Sequence, residues 1–104
     1  MERCIWKARL MPGKREEYVR LHDQIWPEMV KELRRCGITN YSIWNYEDEL
    51  VGYYECPDLA YANRYREGSD VVRRWNEAMS GIMQMEQDAK TGAVKRFQQV
   101  FELM

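Results

Sequence analysis

"ITNYSIWNYEDELVGYYEC", residues 38–56, reads as two strands joined by an acidic turn. "ITNYSIWNY" (38–46) and "LVGYYEC" (50–56) are rich in β-branched and aromatic residues, and the "EDE" between them (47–49) suggests a hairpin. That triplet is too short for a calcium loop and lacks its glycine, so it reads as a solvated turn. Tyr41 falls in the first of these strands. Tyr53 and Tyr54 fall in the second, with opposite facing.

Outward from the hairpin, each flank supplies a strand and helical sequence. On the N-terminal side, residues 3–11 alternate, with Cys4, Trp6 and Ala8 on one face and Ile5 on the other, until "MPG" breaks the strand. From Lys14 to Arg35 the spacing becomes helical. Tyr18, His22, Ile25, Met29 and Leu33 share one face. Pro27 lacks an N–H and predicts a kink or a division into two helices, and Gly37 reads as the stop. On the C-terminal side, Pro57 and Asp58 open a second helical region through "LAYANRYREG" (59–68). It breaks near Gly68 and resumes as "SDVVRRWNEAMSGIM" (69–83), with Ser69 as N-cap. "MEQDAKTGA" (85–93) reads as loop, and "VKRFQQVFELM" (94–104) as the closing strand. The order β-α-β-β-α-β predicts an α+β fold of the ferredoxin-like, split βαβ type, a four-stranded antiparallel sheet with helices on one face. The other face of such a sheet needs cover, and a second copy of the chain is the economical one, so a homodimer is expected.

At 104 residues the chain is one domain, 1–104, with no linker or repeat. Sixteen basic and seventeen acidic residues are mixed along it, which argues against a nucleic-acid footprint or a membrane-seeking face. The first eleven residues lack a signal-peptide core, so a cytoplasmic location is expected. Cys4, Cys36 and Cys56 show no CxxC spacing and read as reduced thiols; with a single histidine, no metal site is expected. Four Trp and seven Tyr suit a large-residue core or a carbohydrate pocket equally. The seven methionines read as core or interface filler.

That one histidine, His22, lies four residues after Tyr18 and four before Trp26. Helical spacing sets Tyr18 and His22 side by side on the face that looks toward the sheet. A buried imidazole beside a phenol can carry protons near neutral pH; the competing reading is a core histidine satisfied by a backbone carbonyl. Trp26 and Pro27 read as packing at the kink, and Trp75 alone reads as core.

Taken together, "EEYVRLHDQIWPEM" (16–29), "GITNYSIW" (37–44), "SDVVRRWNEAM" (69–79) and the terminal "QQVFELM" (98–104) resemble the L-rhamnose mutarotase family over nearly the whole chain. The resemblance implies a dimeric α+β barrel and a cofactor-free isomerase that interconverts the α and β anomers of a monosaccharide. It puts the catalytic acid/base on His22, as proton donor, and sugar contacts on Tyr18 and Tyr41. It puts an aromatic wall on Trp75 and Asn76, where the family's second tryptophan is replaced by asparagine. The family's Asn-Pro-Asp-Asn-Ser-Pro loop is also replaced, by "MEQDAKTGAV" (85–94). Both departures leave the sugar open between L-rhamnose and another 6-deoxy sugar such as L-fucose. No cofactor or metal is implied. Two other readings share the fold: a cofactor-free monooxygenase or haem-handling protein, and a non-catalytic sugar-binding or regulatory module that would keep Trp75 and Tyr41 but not need His22.

Overall fold

The computed structural model describes residues 1–104 as β1 (Glu2–Leu10), α1 (Arg15–Asp23), α2 (Pro27–Arg35), β2 (Thr39–Tyr46), β3 (Glu49–Cys56), α3 (Leu59–Glu67), α4 (Asp70–Met79) and β4 (Met83–Met85). The sheet order is β2-β3-β1-β4, and every neighbouring pair is antiparallel. This is the ferredoxin-like α+β arrangement, with the first strand of the chain in the interior of the sheet.

Proline chemistry sets the helix break. Pro27 is the first residue of α2, where its missing N–H has no helical partner to lose. Trp26 before it is extended (φ −58°, ψ 131°), as the residue before a proline prefers. Asp58 and Ser69 cap the later helices, accepting from the backbone N–H of Tyr61 (3.1 Å) and Val72 (3.3 Å). Glu32 of α2 is buried and ties the helices together. It accepts from Ser69 Oγ (2.6 Å), Tyr65 Oη (3.3 Å) and Arg35 (3.1 Å).

Trp6, Ala8 and Leu10 of β1 face the helices and are buried together with Leu50, Tyr54 and Cys56 of β3. The opposite sheet face is unpacked over much of its area, leaving Ile5, Trp44 and Tyr46 exposed.

Two expectations at the C-terminal end are corrected. The last helix stops at Met79 rather than running to Met83, and Ser80 Oγ donates back to the Glu77 carbonyl at its end (2.8 Å). The fourth strand is Met83–Met85, not 94–104: Leu10 pairs with Met83 and Ala8 with Met85. The cause is proximity. The free edge of β1 lies beside the exit of α4 and takes the first residues that can pair. Asp88 then closes a turn, accepting from the N–H groups of Lys90 (2.8 Å) and Thr91 (3.0 Å). Residues 94–104 lie outside the sheet ladders, held at Arg3 by Glu102 (2.9 Å) and Gln99 (3.3 Å).

Candidate active site

The helical spacing of Tyr18 and His22 becomes a stacked pair, with ring centroids 4.0 Å apart and planes 26° from parallel. His22 Nδ1 lies 2.9 Å from the Tyr18 carbonyl oxygen, one turn back. A carbonyl only accepts, so Nδ1 carries the proton and the neutral ring has its lone pair on Nε2. Partial burial holds the His22 pKa below its usual 6.5, against the opposing pull of the carbonyl bond and of Asp23. Burial, with help from the Tyr41 phenol, pushes Tyr18 far above the ordinary tyrosine range, so it stays a protonated hydrogen-bond donor.

Trp75 of α4 meets the edge of His22 at 5.3 Å and Trp26 at 5.2 Å, both nearly perpendicular. The tryptophan read as packing at the kink therefore belongs to the same aromatic group as His22. Arg74 rests over the Trp26 ring at 5.8 Å.

Tyr41 stands beside a local irregularity of the sheet. The register between β2 and β3 shifts between Thr39, opposite Glu55, and Ser42, opposite Tyr53. Asn40 takes up the extra residue in the left-handed region (φ 50°), a conformation asparagine tolerates better than most side chains. The hairpin register, with Ile43 opposite Gly52, already carries Tyr41 toward the helices, and the extra residue lets Thr39 oppose Glu55 beyond it. Tyr41 packs inward against Tyr54 (5.1 Å between centroids). Tyr41 is 36 % exposed, but its hydroxyl accepts from Trp6 Nε1 at 3.0 Å, and burial of that group raises its pKa.

Three of the residues singled out in the sequence, Tyr18, His22 and Trp75, thus form one aromatic group with Trp26, while Tyr41 packs with Tyr54 in a second. Asn76 does not join them. It is exposed and lines a surface groove of about 390 Å³ with Arg66, Glu67, Arg73, Glu77 and Ser80. Successive helical residues point about 100° apart, and Trp75 takes the inward direction. Of the two tyrosines of opposite facing noted in β3, Tyr54 is the inward one, and sequence reading missed Trp6 and Arg66. Trp6 shows only as a core position of an alternating strand, and Arg66 sits in an unremarkable helix pattern. Arg66 donates to the Tyr54 hydroxyl (2.9 Å) and lies over the Tyr54 ring at 5.4 Å.

No group of three or more His, Cys, Asp or Glu side chains is placed to hold a metal ion. The residues gathered around His22 can move a proton, donate hydrogen bonds from phenols and stack on an apolar surface.

The sequence profile of the L-rhamnose mutarotase family matches residues 3–103. Similar proteins include the L-rhamnose mutarotase of Burkholderia ambifaria, 40% identical over 85 residues that cover 80% of this chain and 81% of that protein. The L-rhamnose mutarotase of Listeria monocytogenes serovar 1/2a is 39% identical with the same coverage. Among solved structures, L-rhamnose mutarotase FA22100 from Formosa agariphila matches with a TM-score of 0.79 at 24% identity, over the whole of both chains. The tetracenomycin F2 cyclase of Streptomyces glaucescens matches with a TM-score of 0.69 at 13% identity, over 100% of this chain and 98% of that one. At these identities the two structures establish a shared fold.

Proposed function

Because the chain belongs to the L-rhamnose mutarotase family, we propose that it interconverts the anomers of L-rhamnose or a closely related aldose, with His22 as the acid/base. Ring opening removes a proton from the anomeric hydroxyl and delivers one to the ring oxygen as the bond from that oxygen to the anomeric carbon breaks. Both oxygens are bonded to that carbon, so one acceptor facing it can serve both. Nε2 of His22 takes the hydroxyl proton, and the imidazolium returns it to the ring oxygen. The open aldehyde turns about its bond to the next carbon, and the same two transfers in reverse close the ring on the other face. No electron pair leaves the sugar and no covalent intermediate forms. Tyr18 and Tyr41 hold sugar oxygens, and Trp75 covers an apolar face of the ring.

The observation that carries this reading is the bond from His22 Nδ1 to the Tyr18 carbonyl, which leaves Nε2 as the free base within the aromatic group. The test is exchange NMR across the anomeric signals of L-rhamnose. Wild type accelerates exchange, and His22→Ala lowers the catalysed rate by about 10²–10⁴-fold, the usual contribution of a positioned acid/base. A folded His22→Ala protein that exchanges anomers at the wild-type rate removes His22 from the mechanism. L-Fucose run in parallel reports which 6-deoxy sugar is preferred.

We also propose that the partner is a second copy, seated on the exposed sheet face. In support, Trp44 is 70% and Tyr46 72% exposed there, and the apolar side chains of Val100, Phe101, Leu103 and Met104 lie bare in the terminal segment. Three unpaired cysteines support a reducing, cytoplasmic setting. No helix is long and apolar enough to cross a membrane.

A further inference from the structure

α1 carries both Tyr18 and His22, yet few polar contacts tie it to the rest of the chain. Lys14 at its N-terminus supplies no side-chain cap, and the ion pair of Lys14 with Glu17 is local. The single hydrogen bond from α1 to another element runs from Arg15 Nε to Asn45 Oδ1 of β2, at 2.6 Å. The acceptor is itself fixed. Asn45 Nδ2 donates into the turn between β2 and β3, to the carbonyls of Glu47 and Glu49, each at 2.9 Å. Glu47 makes that turn in the left-handed region (φ 52°). One amide group thus spends both its donor hydrogens on the hairpin and its acceptor on the helix.

Helix geometry connects this clasp to His22. Arg15, Tyr18 and His22 stand at i, i+3 and i+7, on one stripe of α1. Asn45 lies opposite Leu50 and Ile43 opposite Gly52, so Asn45 shares the helix-facing side of β2 with Ile43 and Tyr41. The far end of α1 is held by the edge contact of His22 with Trp75, at 5.3 Å. The near end is held by Arg15. Two holds about two turns apart fix the rotation of the helix about its axis, and that rotation decides where Nε2 points. Both clasp residues are exposed, so the bond adds little to overall stability. Resting on the mutarotase reading above, we infer that Arg15 and Asn45 are positioning residues of this site. Their bond sets α1 on the hairpin so that Nε2 of His22 meets the oxygens of the anomeric carbon.

The test compares wild type with Arg15→Met, Arg15→Lys, Asn45→Ala and the double variant Arg15→Met/Asn45→Ala, each checked for fold by circular dichroism and urea melting. Anomer exchange on L-rhamnose gives kcat and KM. Arg15→Met should lower kcat about tenfold, inside the roughly 10²-fold that a misplacement of about 1 Å can cost. KM should stay within about twofold, because Tyr41 and Trp75 lie outside α1 and keep their hold on the sugar. A lysine can still donate to Asn45 Oδ1, so Arg15→Lys should recover part of kcat. In the Asn45→Ala background, Arg15→Met should cost nothing further, since the bond is already gone. Amide hydrogen exchange in Arg15→Met should quicken over residues 18–23 and stay unchanged in the sheet. Wild-type kcat in a folded Arg15→Met protein overturns the inference. So does an equal loss in the Asn45→Ala background, which would mean that Arg15 acts without Asn45. Either result leaves the mutarotase reading intact. Failure of wild type to accelerate anomer exchange overturns that reading, and the inference with it.

Discussion

Under the proposed acid/base role of His22, the burial that favours its neutral imidazole has a pH signature. Burial lowers the His22 pKa below 6.5, so the anomer-exchange rate should be level above that pH and fall as the medium is acidified through the folded-state value. Stability follows the same sign. As pH drops below 6.5 the unfolded chain takes up the proton first, so stability declines until the folded-state pKa is reached and is level beneath it. Urea melts at intervals between about pH 5 and pH 7 should therefore show a smaller pH slope for His22→Gln than for wild type. Parallel slopes would mean the ring titrates equally in both states. Tyr18→Phe should slow exchange less than His22→Ala, by about the 0.5–1.5 kcal/mol of one hydrogen bond; an equal loss makes Tyr18 a proton carrier. The Tyr18–His22–Trp75 grouping was legible because helical period alone fixes two of its members and aims the third inward. Asn76 was not placeable, since its neighbour decides which way it turns. Arg66 was invisible, since a lone arginine in a helix reads as solvated surface until the sheet behind it is known.

At the level of elements, β1 and β3 approach through the gap that Gly52 leaves. Trp6 and Gly52 are paired across the two strands, and a Cβ built on Gly52 would fall 2.0 Å from Trp6 Cε2, inside the indole. Gly52→Ala must therefore push Trp6 aside and break its bond to Tyr41. The expected outcome is a loss of about 1–3 kcal/mol in urea unfolding, as for other overpacked cores. Anomer exchange should weaken with it, because Tyr41 loses its anchor. Wild-type stability would mean that the ring tilts away freely. The strand pattern shows a glycine here, but a glycine in a strand does not say which ring uses its space. Likewise the order of strands and helices was readable from periodicity, the Pro27 break and the caps. The identity of β4 was not, because "VKRFQQVFELM" looks like a strand, whereas three residues next to the β1 edge pair first. The register shift beside Tyr41 was hidden for a similar reason: the residue that makes it, Asn40, is marked only by its backbone conformation.

For the molecule as a whole, one sheet face leaves Ile5, Trp44 and Tyr46 exposed among charged residues, and the terminal segment leaves Val100, Phe101, Leu103 and Met104 bare. Trp44 makes one hydrogen bond, to Ser42 Oγ at 3.1 Å, and its ring is otherwise bare. Trp44→Lys should leave the monomer fold unchanged by circular dichroism and shift a sedimenting dimer toward monomer at micromolar concentration. A wild-type protein that sediments as a monomer would remove the paired barrel from the proposal. The sheet order has a further consequence, for how the protein is made. β1 lies between β3 and β4, so the strand that leaves the ribosome first is the one with partners on both sides. Its first neighbour begins at Glu49 and its second at Met83. At roughly 5–20 residues per second, one edge of β1 waits several seconds for β3, and the other waits up to about twice as long for β4. During synthesis the nascent chain therefore carries a bare, aromatic-flanked strand, and a slow stretch of translation between residues 56 and 83 would prolong the interval in which that strand can pair with the wrong chain.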